Sequence, residues 1–329
     1  MTTDIVKPGH PGFFIDMPTF SFIIPVKPRI SPRALESLRQ LAHSYPFEIL
    51  ISEGKRPSRQ RNLAAQQAQG EILFFLDDDS LVSGEFLMLC AEAFTNTSVA
   101  VVGGPSLTPE SDSTLQQVFG YALSSFFGAG GMRNRYRAAG TTRCTTEKEL
   151  ILCNMAIRRD IFLAANGFDE RLYPNEENEL LDRISLKGFK LVHIPSMAVK
   201  RSQRQTLSAF VRQMFSYGRG RAQQTLIARK PCPLISLIPL MFVIYLVLLP
   251  LVPANLFLSL PLFIYIFLDL IFATTALIKS RDSGALLLTA IFPIMHFANG
   301  LGLLYGFLKG SVMLEPGDDI RIKVIKSFE

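Results

Sequence analysis

The sequence predicts an α/β fold built on a mostly parallel, doubly wound sheet, followed by a C-terminal helical membrane domain. Three observations carry that expectation. Strand-like apolar runs alternate with helical patterns between residues 20 and 103. Three consecutive carboxylates, Asp77, Asp78 and Asp79, follow directly on the apolar run Ile72-Leu73-Phe74-Phe75-Leu76. From Pro231 to Leu308 the only charged residues are Asp269, Lys279, Arg281 and Asp282. With 48% hydrophobic residues over 329 positions and a mean hydropathy of +0.26, the chain is too apolar to be wholly soluble, and the excess is concentrated in that last stretch.

In order, Phe20-Ser-Phe-Ile-Ile-Pro25 reads as a buried strand, and Ala34, Leu35, Leu38, Leu41 and Ala42 then fall on one helical face. Phe47-Glu-Ile-Leu-Ile51 is a second strand, ending at Ser52-Glu53-Gly54. Residues 58–69 form a helix closed by Gly70, and the third strand runs through 71–76 into the Asp triplet. A helix at about 84–94 and a strand at 99–103 follow. Sheets of this type bind ligands beyond the carboxyl ends of their strands, where both Glu53 and the triplet are expected. The triplet has two readings: an acidic turn that stops a strand, or a divalent cation site. Its company with Glu53 favours the cation site, with Mg2+ or Mn2+ holding a nucleotide diphosphate. The segment 128–146, with Arg133, Arg135 and Arg137 among glycines, reads as a mobile basic loop.

Between Asp182 and Asp269 there is no acidic residue, while Lys200, Arg201, Arg204, Arg212, Arg219, Arg221, Arg229 and Lys230 accumulate. Leu207, Phe210, Val211, Met214 and Phe215 recur at helical spacing, giving an amphipathic basic helix suited to an anionic membrane surface; no nucleic-acid partner is expected. Three apolar segments near 234–252, 256–278 and 285–308 approach the roughly 20 residues that cross a bilayer. Pro231, Pro233, Pro239, Pro250 and Pro253 crowd the first, leaving two or three true spans. The expected division is a tail at 1–18, the α/β domain at 19–205, the interface helix at 206–230, the membrane domain at 231–310 and a tail at 311–329. Residues 1–18 show no secretory pattern, and the cations before the first apolar segment obey the positive-inside rule, so the α/β domain is expected to be cytosolic. Three spans would place Arg321, Lys323 and Lys326 on the far side, against that rule. Cys90, Cys144, Cys153 and Cys232 have no paired spacing and read as reduced thiols.

Pro25, Glu53, Arg61-Asn62, Gly70 to Asp79, Asn154-Met-Ala-Ile-Arg-Arg159 and Gly167-Phe-Asp-Glu170, taken in that order, resemble the inverting family 2 glycosyltransferases. The likeness covers about residues 20–221. Gly128-Ala-Gly-Gly-Met-Arg133 and residues 212–221 further resemble the membrane-bound transferases of succinoglycan-type exopolysaccharide synthesis. The resemblance implies a Rossmann-like GT-A fold and transfer of a sugar, with inversion, from a nucleotide-sugar to a lipid-linked saccharide. The donor is a UDP-sugar by family habit, with a purine donor left open, and the place is the cytosolic face of a bacterial inner membrane, anchored by multiple passes. It implies Asp79 as direct metal ligand, Asp77 at the metal or the ribose, Asp78 nearby, and Pro25, Glu53 and Arg61 around the nucleotide. Glu177 is the implied general base, with Glu176 the alternate; Glu stands where the family usually has Asp. Gln213, Arg219 and Arg221 are candidates for the donor pyrophosphate, although the chain has no Trp to complete the family's usual signature there. Two further readings are open. A polyprenyl-phosphate acceptor would make Glu177 less necessary, since a phosphate is already ionised. Ser52, where relatives often carry Asp, leaves room for a catalytically silent membrane scaffold.

Overall fold

The computed structural model describes residues 18–41, 45–251, 253, 255–310 and 319–326. Strands β1 (Phe20–Val26), β2 (Phe47–Glu53), β3 (Ile72–Leu76), β4 (Val99–Gly103), β5 (Ser106–Leu107), β6 (Arg143–Thr145), β7 (Asn154–Arg158), β8 (Lys190–His193), β9 (Val199–Lys200) and β10 (Arg321–Lys326) build two sheets. The helices are α1 (Ala34–Arg39), α2 (Pro57–Gln67), α3 (Phe86–Phe94), α4 (Thr114–Ser124), α5 (Phe126–Ala129), α6 (Arg159–Ala164), α7 (Glu176–Leu186), α8 (Leu207–Ala228), α9 (Leu234–Leu248), α10 (Leu256–Ser280) and α11 (Leu288–Lys309).

The main sheet has the order β10-β2-β1-β3-β7-β4-β8-β6, with β5 and β9 paired separately. β2, β1 and β3 are parallel neighbours, as are β4 and β8, and β7 runs antiparallel between β3 and β4. β2, β1, β3, β4 and β8 therefore point the same way, and their carboxyl ends lie along one edge. Both faces of this sheet are covered, so the central strands are apolar without alternation. Phe22, Ile24, Phe74 and Leu76 pack on one face with Leu38 of α1 and Phe86 of α3. Ile23, Leu50, Leu73 and Phe75 point to the other, against Ala64 of α2, Phe162 of α6 and Leu180 of α7.

A third apolar cluster joins α4 to Phe210 and Met214 of α8, Ala273 of α10 and Phe292 of α11. Three C-terminal helical stretches, Leu234–Leu251, Leu256–Ser280 and Ser283–Lys309, are long and apolar enough to cross a bilayer. The C-terminal segment is more than a tail. Residues 321–326 form β10, which pairs antiparallel with β2 at the sheet's edge.

Candidate active site

The site forms where β1, β2 and β3 end. Pro25 and Val26 close β1 opposite Ser52 and Glu53 of β2, and the triplet leaves β3 one residue after Leu76. Glu53 accepts a hydrogen bond at Oε1 from the backbone N–H of Arg29, 3.1 Å away in the loop after β1.

Arg61 organises the centre. It is buried in α2, donates from Nη2 to Asp77 Oδ1 at 2.9 Å, and from Nη1 to Glu176 Oε1 at 3.1 Å. One guanidinium thus ties the strand-end triplet to the start of α7. α2 carries Arg61 there because Pro57 opens the helix at its first turn, where a missing N–H costs nothing.

Arg201 completes the neutralisation. Its Nη2 lies 3.0 Å from Asp77 Oδ2 and its Nε donates to Asp79 Oδ1 at 2.7 Å. Reciprocal backbone hydrogen bonds between Leu81 and Lys200, each 2.9 Å, set Arg201 beside the triplet. The sequence placed Arg201 among the cations of a membrane surface; it is instead a partner of two site carboxylates. The triplet's charge is therefore met in part by two arginines, so like-charge repulsion by itself does not require a metal ion.

The three carboxylates are not equivalent. Burial works to raise Asp77, but Arg201 and then Arg61 outweigh it and hold the carboxyl below its ordinary value of 3.8. Asp78 is pushed up by burial, then by Asp79 and Asp77 beside it. Asp79, with a side chain 38% exposed, is bound through Oδ1 by Arg201.

At the other side, Asn175 caps α7 in the left-handed region at φ 84°, a conformation that Asn tolerates. Its side-chain amide donates to Gln224 Oε1 of α8 at 3.4 Å and its carbonyl oxygen accepts from Asn178 at 3.2 Å. Glu176 and Glu177 follow, both buried. Burial pushes the Glu176 carboxyl up, and Glu177 beside it adds to the shift against the pull of Arg61. Glu176 Oε2 is buried and has no hydrogen-bond partner among the described residues. Glu177 Oε1 instead pairs with Arg135 Nη1 at 3.1 Å.

Arg135 corrects the expectation of a mobile loop at 128–146. Residues 130–135 form a 3-10 helix and 143–145 a strand, and Arg135 is buried, donating to the backbone of Glu147 and Lys148 and to Asn178. Periodicity misses such a segment, because its order comes from one arginine filled with distant partners.

A family model for glycosyl transferase family group 2 matches residues 72–308, well over half of the chain. The chain belongs to glycosyl transferase family group 2. Among curated relatives of this glycosyltransferase is the succinoglycan biosynthesis protein ExoA of Rhizobium meliloti, 26% identical over 209 residues. The match takes in 62% of this chain and 61% of that relative, so the chain spans about three fifths of its length. Among solved structures, the mannosyltransferase PcManGT from Pyrobaculum calidifontis, in complex with GDP-Man and Mn2+, superposes with a TM-score of 0.55 at 13% identity. That likeness covers 88% of this chain and 87% of the other, and it shows a shared GT-A fold.

The remaining candidates of this glycosyltransferase sit on α8. Gln213 donates to Tyr217 Oη at 2.7 Å and accepts from Arg204 Nε at 3.1 Å. Arg219 donates to the Tyr173 carbonyl at 3.0 Å, while its Nε is buried without a partner among the described residues. Arg221 donates to Gln224 Oε1 at 2.9 Å. Arg219 also lines a cavity of about 250 Å³ with Lys55, Arg56, Arg171, Tyr173 and Lys309. His193 is a buried strand residue and His296 a helix-packing one, held by the Phe127 carbonyl and Tyr265 Oη.

Proposed function

We propose that the protein transfers a sugar from a nucleotide-sugar to a lipid-linked saccharide acceptor, with inversion, during exopolysaccharide synthesis of the succinoglycan type at the cytosolic face of a membrane. The observation that carries this reading is the bridge Asp77–Arg61–Glu176, which joins a donor-side carboxylate cluster to a buried acidic pair through one guanidinium.

A transferase of this kind has two tasks, to stabilise a leaving diphosphate and to deprotonate the attacking hydroxyl. Asp79 suits the first, being partly exposed and held through Oδ1 by Arg201. No group of three His, Cys, Asp or Glu side chains able to hold a metal occurs among the described residues. One or two carboxylates of the triplet, Asp79 first and Asp77 second, would suit a hard ion such as Mg2+ or Mn2+, which fills its other positions with phosphate oxygens and water. Bound at Asp79, such an ion would neutralise charge developing on the leaving diphosphate. The ion in the mannosyltransferase of like fold supports this reading, and that structure's GDP-Man supports a nucleotide-sugar donor. Arg61 and Arg201 hold Asp77 ionised as a fixed support beneath the site. Glu53 and Pro25 border the place for the nucleoside, which we assign to uridine.

For the second task, Glu177 faces Arg135 at 3.1 Å, while burial favours the protonated form of its neighbour Glu176. Glu177 is the base of this reading, and Arg135 holds it in place. Attack of the hydroxyl oxygen on the anomeric carbon then forms one bond as the bond to the diphosphate breaks, inverting the centre without a covalent enzyme intermediate. The test is a screen of nucleotide-sugars with membrane lipid extract and the full-length protein, reading labelled sugar in the lipid phase. Glu177→Gln is expected to cut turnover about 10²–10⁴-fold with nucleotide binding retained. Full turnover in that variant would favour a phosphate acceptor instead.

A further inference from the structure

Hydropathy offers three bilayer crossings, which would leave the two ends of the chain on opposite sides. The packing argues for a lower count. α11 packs on α9 at Gly300, where a Cβ would come within 2.2 Å of the Pro239 carbonyl oxygen. It meets the polar domain at separate points: Asp282, ahead of it, accepts from Tyr121 Oη at 3.2 Å, His296 Nε2 meets the Phe127 carbonyl at 2.9 Å, and Lys309 at its end lines the cavity with Lys55 and Tyr173. Between those points it lies against α8 at backbone distance. A Cβ added at Gly218 would come within 2.0 Å of the Asn299 carbonyl oxygen, and one at Gly302 within 2.0 Å of the Phe215 carbonyl oxygen. α8 is itself seated on the polar domain, with Gly220 against the Pro174 carbonyl. Of an apolar run of 18 residues within Ser283–Lys309, 44% is buried, against 6% and 11% for the corresponding runs in the two preceding stretches.

Those two stretches form a hairpin whose feet share one side. α9 begins just after Arg229 and Lys230, and α10 ends at Lys279 and Arg281, so both feet are basic and the turn between them is uncharged. Phe242 of α9 stacks on Tyr265 of α10 at 4.5 Å, and Tyr245 Oη donates to the Leu258 carbonyl at 2.8 Å. The hairpin is short. The helical stretch that α9 opens, Leu234–Leu251, has 18 residues and reaches about 27 Å, a little less than the ~30 Å of a bilayer's hydrocarbon core. Tyr265 and Phe272 pack on Phe127 of the polar domain, so α10 leaves only residues 256–264 beyond it, about 14 Å of helix. At the tip Leu251 is 75% and Phe257 83% exposed, an apolar surface that fits lipid tails. Past α11 the chain returns to the polar domain as β10 on β2.

We propose that α9 and α10 form a re-entrant hairpin that dips into the bilayer from the catalytic side and returns to it, that α11 lies in the membrane plane beside α8, and that none of the described helices crosses the bilayer. This inference is independent of the sugar-transfer reading. It is tested in sealed vesicles of opposite orientation with a membrane-impermeant maleimide and peptide-resolved mass spectrometry, using the exposed native Cys144 as reference. In Asp319→Cys, the new thiol is expected to label in the same orientation as Cys144; labelling only in the opposite one overturns the proposal. In Asn255→Cys, at the hairpin turn, labelling is expected in neither orientation until detergent is added; labelling from the side opposite Cys144 would show a crossing. Should either variant fail to accumulate, an impermeant amine reagent on the unmodified chain reads the same arrangement. Lys323 is then expected to react together with Lys148, and reaction of Lys323 from the other side overturns it.

Discussion

Arg61 and Arg201 make the site one electrostatic unit, since four of the six oxygens on Asp77, Asp79 and Glu176 meet one of these two guanidiniums. Removing one partner of a buried pair leaves a charge uncompensated, at about 3–5 kcal/mol when fully buried. The Arg201 side chain is 22% exposed, so Arg201→Ala is expected to destabilise by about 2 kcal/mol, read as a lowered denaturant midpoint with an unchanged slope. Glu176 gives a prediction of opposite sign to that of an ordinary ion-paired acid. Its folded carboxyl holds a proton above the ordinary 4.5, so this contribution to stability is complete below pH 4.5 and declines as pH rises toward the raised folded value. Glu176→Gln removes that slope, and its melting temperature should gain on the unmodified protein from pH 5 to pH 8; an unchanged gap would exclude a buried proton on Glu176. The triplet Asp77–Asp79 was legible in the sequence as a strand end, a local pattern, whereas Glu176 and Glu177 were singled out by the family resemblance. Arg201 and Arg135 were not legible, because each reaches its carboxylates through a tertiary contact with no local signature.

Elements follow the same division. Every strand and helix from β1 to β4 was legible, since each rests on apolar spacing and a turn residue. β10 lay hidden in an apparent tail: Arg321-Ile-Lys-Val-Ile-Lys326 alternates, but only the open edge of β2 makes it a strand. The α8–α11 contact was equally invisible, because Gly218, Gly302 and Gly306 read as weak points in helices until their partner is known. Ala at position 302 would gain about 1 kcal/mol in helix propensity. Its Cβ would meet the Phe215 carbonyl oxygen at 2.0 Å, a backbone atom with no rotamer to yield, and overpacking costs about 1–3 kcal/mol. Gly302→Ala is therefore expected to lower the melting temperature in detergent despite the better helix former.

For the whole molecule, the proposed arrangement of basic helix α8, exposed hairpin and in-plane α11 would bring the carboxyl edge of the sheet close to lipid, where the proposed lipid-linked acceptor would be presented. Surface attraction of this kind weakens with salt, while burial of the hairpin does not. Vesicle binding is expected to keep a salt-resistant component that disappears when Leu251 and Phe257 are both replaced by Asp. A donor site at Asp79 and a base at Glu177 are proposed to serve one transfer reaction. Release of nucleoside diphosphate by the full-length protein in lipid, with and without Mn2+, measures it most directly. Release is expected to need the ion and to fall at least a hundredfold in both Asp79→Asn and Glu177→Gln; no release from any nucleotide-sugar, or release undiminished in both variants, would rule out such a site.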